Sequence, residues 1–343
     1  MESRTRKAKR AKSGQVILFF TSAVLFIFGC KKSLQLSYEG KLETVSVAGL
    51  VPEAVGIIED GLADDNPQIR ANAIEVVAAA KLIRLIPKVV RLLEDEFVPV
   101  RFLAALAIGD SEYSLAKSKV VQLLKDGDES VKIAGAYAMS KLGVADNLEV
   151  ICRTITSSDQ KVRANTALLL GKIGDKRTLK YLYWALQHKD SDDKVRFNAV
   201  EAIARLGDER IYPKLWAMLI SAYADDRVVG IRAMGALGTA EAKNALITML
   251  DDNVLEVRLA AAEQLGMLGE NTGEPEVLDV FRKNLISGMD AEGAERVKVW
   301  TSLAIGEIGT EAVTKFLPEL LKDESKFVRI AAAKAVFMCT MED

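Results

Sequence analysis

At 343 residues the chain is long enough for two ordinary domains, and its makeup, 50% hydrophobic but only 6% aromatic, suits helices joined by small-residue contacts. The formal charge of −2 hides a segregation, because six Lys/Arg and one Glu lie in the first twelve residues, leaving 40 cations against 47 anions in the rest. That acidic body lacks the basic face a general nucleic-acid binder needs, so no nucleic-acid partner is expected.

The basic start MESRTRKAKRAK runs into the apolar stretch VILFFTSAVLFIF, Val16 to Phe28. A membrane span needs roughly 20 such residues, and this run is shorter. A charged start, a short apolar core and the small Gly29 describe an export signal over 1–29. An uncleaved signal anchor is the alternative. Residues 30–45 begin with Cys30, continue with polar residues of no clear period, and read as a tether.

From residue 46 the chain repeats. A cation recurs at Arg70, Arg101, Lys132, Arg163, Arg196, Arg227, Arg258, Lys298 and Arg329, mostly 31 residues apart. Three residues after each stands a small side chain, from Ala73 to Ala332, and seven after each an apolar one, from Val77 to Val336. Leu/Ile-Gly pairs such as Leu206-Gly207 close the segment, with glycine suited to the left-handed position after a helix. The spacing predicts one helix per unit with a close-packed face. VPEAVGIIEDG (51–61) returning as IPKVVRLLEDE (86–96) is the second helix of the unit. Self-similarity at this period means stacked supersecondary units over 46–343 and no single closed core.

Two irregularities interrupt the register. The step from Arg258 to Lys298 is 40 residues, and the last helix, 325–339, is followed by only four residues and so lacks a second helix after it. That flank reads as an open apolar face able to seat a partner or a second copy of the chain.

Units with the pattern D-x-x-x-x-V-R-x-x-A-x-x-A-L-x-x-L-G resemble HEAT repeats of the short bacterial type also found in phycobilin lyases. The resemblance implies an all-α fold, a right-handed α-α superhelix (a HEAT-like solenoid) of about nine helix pairs, roughly 80–90 Å long at about 10 Å per layer. It also implies that second helices line the concave surface. Separately, Ile27-Phe28-Gly29-Cys30 resembles the lipobox of bacterial lipoproteins. That implies lipidation of Cys30 and a membrane anchor, and Lys31 after the cysteine favours the outer membrane, facing the periplasm.

The cations at Arg70, Arg101, Arg163, Arg196, Arg227, Arg258 and Arg329 are read as a structural ladder. Seven of the nine positions six residues before a cation are acidic, Asp190 before Arg196 among them, and such pairing neutralises charge a phosphate would need. Chemistry has few other candidates. His188 is the single histidine, too few for the usual zinc or iron donor sets, so no metal and no cofactor are expected. Cys152 and Cys339 stand six repeats apart, which excludes a bridge between them. The remaining feature is aromatic: Tyr181, Trp184 and His188 form a stripe on one second helix, and Tyr212 and Trp216 a face of the next. These five are the candidate partner-binding residues, with gap filling between repeats as the competing explanation. The expected function is a lipid-anchored envelope scaffold that holds a protein partner without catalysis; the alternative is a phycobilin-lyase-like enzyme or chromophore-handling protein.

Overall fold

The computed structural model describes residues 46–144 and 147–341. The export signal, Cys30 and the tether lie outside them. Among the described residues the fold is all-α, with no strand. We number the helices α1 (Val51–Gly61), α2 (Pro67–Ala79), α3 (Ile86–Arg91), α4 (Val98–Asp110), α5 (Lys117–Leu123), α6 (Glu129–Lys141), α7 (Leu148–Arg153), α8 (Gln160–Ile173), α9 (Leu179–Gln187) and α10 (Asp193–Arg205). There follow α11 (Tyr212–Leu219), α12 (Ala224–Leu237), α13 (Ala240–Thr248), α14 (Leu255–Met267), α15 (Glu274–Arg282), α16 (Ala291–Ile308), α17 (Glu311–Thr314), α18 (Leu317–Leu320) and α19 (Lys326–Met338). The cation-bearing helices are α2, α4, α6, α8, α10, α12, α14, α16 and α19, and each packs on the next of its kind.

Those nine helices form a continuous layer because small residues let them approach. A Cβ on Gly171 of α8 would stand 2.8 Å from the Cα of Ala202 on α10. One on Gly306 of α16 would stand 2.7 Å from the Cα of Ala335 on α19. The helices are buried on nearly every face, as in α14, where Leu255, Val257 and the whole run Leu259–Gly266 are buried. The second helices bury one side only, Leu182 and Ala185 in α9, for example.

The row of helices closes on itself. The chain opens with a second helix, α1, and ends with a cation-bearing helix, α19, and these two pack together, with α19 also against α2. A Cβ on Gly61 of α1 would meet Ala73 at 3.0 Å and the Ile330 side chain of α19 at 3.3 Å. Residues 46–341 therefore form a ring, and the expectation of an open rod with a bare final helix is corrected. The last helix finds its missing partner at the other end of the chain. Closure also reverses the expected facing: cation-bearing helices line the interior and second helices the outer rim.

The ladder is wired between repeats. Asp95 Oδ1 accepts the Phe97 N–H at 2.9 Å, starting α4, while Asp95 Oδ2 accepts Arg70 Nε at 2.8 Å. Arg70 Nη1 in turn donates to the Asp64 carbonyl oxygen at 2.7 Å. Thus a cation takes the backbone carbonyl of its own repeat and the carboxylate of the following one. Arg101–Asp126 (2.8 Å), Arg227–Asp252 (2.7 Å) and Lys298–Asp323 (2.6 Å) repeat the pairing. At the seam Asp64 plays the same part, its Oδ1 accepting Asn66 N–H at 3.0 Å and its Oδ2 meeting Lys326 of α19 at 2.5 Å. Burial alone would raise the Asp64 pKa, but the bonds from Lys326 and Asn66 N–H hold the carboxyl below its ordinary value.

Other rungs vary. Arg258 pairs with Glu276 at 2.6 Å. Arg163 donates to the Ser157 carbonyl at 2.5 Å and Arg329 to that of Asp323 at 2.5 Å. Arg196 does not face Asp190: it donates to the His188 and Lys189 carbonyls, both at 3.2 Å, and stands 3.8 Å from Asp193. The 33-residue step into this repeat lengthens the loop and moves the acid out of reach.

Gly143, Gly174, Gly207, Gly238, Gly269 and Gly309 end their helices at φ between +66° and +81°. The first two repeats place Lys81 (φ +50°) and Glu112 (φ +49°) at the equivalent position, where a Cβ crowds the following carbonyl. Both are exposed. Replacing each with Gly relieves that strain and is expected to stabilise the ring by about 0.5–1 kcal/mol per site, read as a raised midpoint in chemical denaturation; a lowered midpoint would contradict it.

Candidate functional site

The candidate partner-binding aromatics lie on the rim, not in a groove. Trp184 stacks on His188 with ring centroids 4.3 Å apart and planes 30° apart, a contact set by their i, i+4 spacing at the end of α9. The Arg163 guanidinium lies 6.0 Å from the Trp184 ring centroid, and Lys180 Nζ 4.9 Å from that of Tyr181. These three rings are half-buried. Tyr212 is tied to the next repeat through a hydroxyl bond to Thr239 Oγ1. Trp216 is different: it is 38% exposed, with Ile220 four residues on at 82% and Tyr223 at 52%. The structure therefore brings Trp184 and His188 together with Arg163, spends Tyr212 on an inter-repeat bond, and leaves Trp216, Ile220 and Tyr223 facing solvent.

The interior holds a second cluster. Five residues after each cation come Glu75, Leu106, Tyr137, Leu168, Glu201, Arg232, Glu263, Leu303 and Lys334. Glu75 on α2 feels the charges of Lys334 on α19, Arg232 on α12 and Lys172 on α8. Helices so far apart in sequence can act on one carboxyl only where they converge, so this register position faces the lumen. Protein surrounds Glu75, yet part of its surface stays open to that lumen.

Helical spacing extends the assignment, since residues four before and four after share the face. Four before lies an apolar layer, with Phe102, Ile133, Leu259 and Ile330 buried. Four after comes a polar layer containing Asp110, Lys141, Lys172, Arg205 and Glu307. Charge is thus confined to the middle and one mouth.

Pairing inside the lumen is incomplete. Arg232 meets Glu201 at 2.9 Å and Lys172 meets Asp110 at 2.8 Å. Tyr137 donates its hydroxyl to the same Asp110 carboxylate, and burial with that carboxylate pushes the phenol pKa up. Glu263 is 1% exposed, and neither carboxylate oxygen has a hydrogen-bond partner. Burial pushes its pKa up to about 7, with Glu307 adding to the rise and Lys334 and Arg232 opposing it. Burial likewise pushes Glu75 up to about 8 against Lys334, Arg232 and Lys172. Carboxyls that keep their protons near neutral pH are suited to proton transfer. Among the described residues no cluster of His, Cys, Asp and Glu has a metal-holding arrangement.

Sequence reasoning passed over the lumen residues. Their signal was an ionisable side chain at one fixed register position in helices otherwise apolar all round, as at Glu263 between Ala262 and Gln264 of α14.

A family model for HEAT repeats matches residues 57–140, 148–230 and 220–293. The phycocyanobilin lyase subunit alpha of a Picosynechococcus species is 30% identical over 114 residues, which are 32% of this chain and 42% of that protein. The match thus spans about two fifths of the relative's length. Human deoxyhypusine hydroxylase in complex with glycerol has 18% identity and a TM-score of 0.37, over 77% of this chain and 98% of its own. The complex of CpcE and CpcF of phycocyanin lyase from a Nostoc species has 17% identity and a TM-score of 0.40, over 73% and 93%. Scores this low carry no functional argument. The lyase relative does correct the expectation of a chain without catalysis, since its similarity points to lyase activity.

The raised carboxyls set a pH dependence. The unfolded chain releases these protons near the ordinary value of 4.5, the folded ring only near 7 and 8. Between those limits the unfolded state binds fewer protons, so stability falls as pH rises. A Glu75→Gln, Glu263→Gln variant is expected to lose much of the drop in melting temperature between pH 5 and pH 8.5; an unchanged slope would contradict the assignment.

Proposed function

The chain belongs to the HEAT-repeat family, and on that footing we propose that it is a lyase-type, chromophore-handling protein that works with a protein partner. The carrying observation is the 114-residue similarity to a phycocyanobilin lyase subunit. The interior supports the reading in chemical terms. An open-chain tetrapyrrole combines pyrrole nitrogens that exchange protons, carboxylate side chains and a broad apolar body. Glu75 and Glu263, with pKa values near 8 and 7, suit the first of these, and the cations Lys172 and Arg232 suit the second. The exposed Trp216, Ile220 and Tyr223 on the rim give a partner subunit aromatic anchors of the kind that dominate interfaces.

The N-terminal region completes the proposal. Residues 1–29 act as an export signal and Cys30 carries a lipid, holding the ring at the cell envelope. In cells fed labelled palmitate, the wild-type chain is expected to take up label and sediment with membranes. Cys30→Ser abolishes both; label retained by that variant would remove the anchor from the proposal and leave the lyase reading untouched.

For the lyase reading, mixing the purified full-length chain with phycocyanobilin is expected to shift the pigment's long-wavelength absorbance saturably. Arg232→Gln is expected to weaken binding about tenfold, equivalent to about 1.4 kcal/mol, with the helical circular dichroism unchanged. No saturable shift at any protein concentration would overturn the reading.

A further inference from the structure

The mouth of the lumen, at the C-terminal ends of the lining helices, has two chemically different halves. Nine residues after the cations, α4, α6, α8 and α10 present Asp110, Lys141, Lys172 and Arg205, whereas α12, α14, α16 and α19 present Ala236, Met267, Glu307 and Met338. In the first half one carboxylate serves three cations. Lys172 reaches from α8 past α6 to Asp110 on α4, at 2.8 Å. Tyr137 of α6 donates to the same carboxylate, and Lys141 Nζ lies 5.8 Å from the Tyr137 ring centroid. The Arg205 charge also acts on the Tyr137 phenol. Lys141 and Arg205 are exposed, so the sector carries positive charge in excess of its one carboxylate.

Cations in a last helical turn offset the helix dipole, but that effect would apply to every lining helix. Neither α12, α14, α16 nor α19 has a basic residue in its last turn. The cations are gathered on consecutive helices of one half. Across the mouth Met267 is 56% exposed, a polarizable thioether facing water. One turn deeper on the same helix lies Glu263, buried with both oxygens unpartnered.

We propose that this mouth binds an amphipathic carboxylic acid, its carboxylates on Lys141, Lys172 and Arg205 and its apolar body over Met267 and Met338. The proposal rests on the chromophore-handling reading only for naming an open-chain tetrapyrrole with propionate groups as the acid. Charge-assisted bonds from two or three cations are the strong kind, and the methionine half supplies an adaptable apolar floor. Lys172 stays bonded to Asp110, which fixes its ammonium in place before the ligand arrives.

The full-length chain would be titrated with phycocyanobilin, with the dimethyl ester of that pigment, and with laurate, followed by pigment absorbance and by tryptophan fluorescence. Wild type is expected to bind the free acid about tenfold more tightly than the ester, and to bind laurate. A Lys141→Gln, Arg205→Gln variant is expected to lose that preference and laurate binding, whereas Lys141→Arg, Arg205→Lys retains both. Trp216→Ala leaves all three affinities unchanged. Equal binding of acid and ester by wild type overturns the site while the pigment reading stands, as does unchanged acid binding by the Gln variant. Laurate bound by wild type but not by the Gln variant, with no pigment bound, upholds the site and overturns the pigment reading. Failure of wild type to bind either acid overturns the site.

Discussion

The packing of the last helix against the first is the contact on which the rest of this structure depends. A stack of helix pairs normally leaves two raw ends, each needing a polar cap. Here α19 is a lining helix without its rim helix, and α1 a rim helix without its lining helix. Each is the cap of the other. Ile330 fills the space beside Gly61, and Lys326 takes the carboxylate of Asp64 that elsewhere receives the preceding repeat's cation. The seam is thereby built from the same parts as every other joint.

Closure changes the dielectric surroundings of the lining helices. In an open superhelix Glu75, Glu201, Glu263 and Lys334 would face a wide water-filled groove, and their ionisation would be ordinary. In the ring they face one another across a narrow space. Burial then raises the carboxyl pKa values of Glu75, Glu263 and Glu307, and the surrounding cations offset only part of the cost. A ring that keeps an unpaired, buried Glu263 gives up stability. Proton-bearing carboxyls in an enclosed polar chamber are what a lyase-type activity on a conjugated pigment can use, whereas a passive scaffold has no need of them.

The residues singled out by sequence sort differently once the ring is in place. The ladder cations make inter-repeat contacts at Arg70, Arg101, Arg227 and Lys298, but the acid each one meets belongs to the following repeat. Arg196 meets carbonyls because its loop is longer. The aromatic five divide by burial: packing for Trp184 and His188, a hydrogen bond for Tyr212, exposure for Trp216. Spacing within one helix determines which residues share a face, and that much was legible for α9 and α11. It cannot say what lies opposite that face, which is why the rim was taken for a concave surface.

The sequence by itself determined the repeat, its helix ends and the small-residue faces, because these follow from 3.6-residue periodicity and the conformational freedom of glycine. Small steric differences of that sort act over a turn or two and leave a local trace. The tertiary structure alone decided that the row closes, and with that which helices line a lumen and which carboxyls stay protonated. Closure depends on a slight curvature added up over nine units, and no single repeat records that sum. Asp64 and Lys326 are 262 residues apart in sequence, and only the completed turn brings them together.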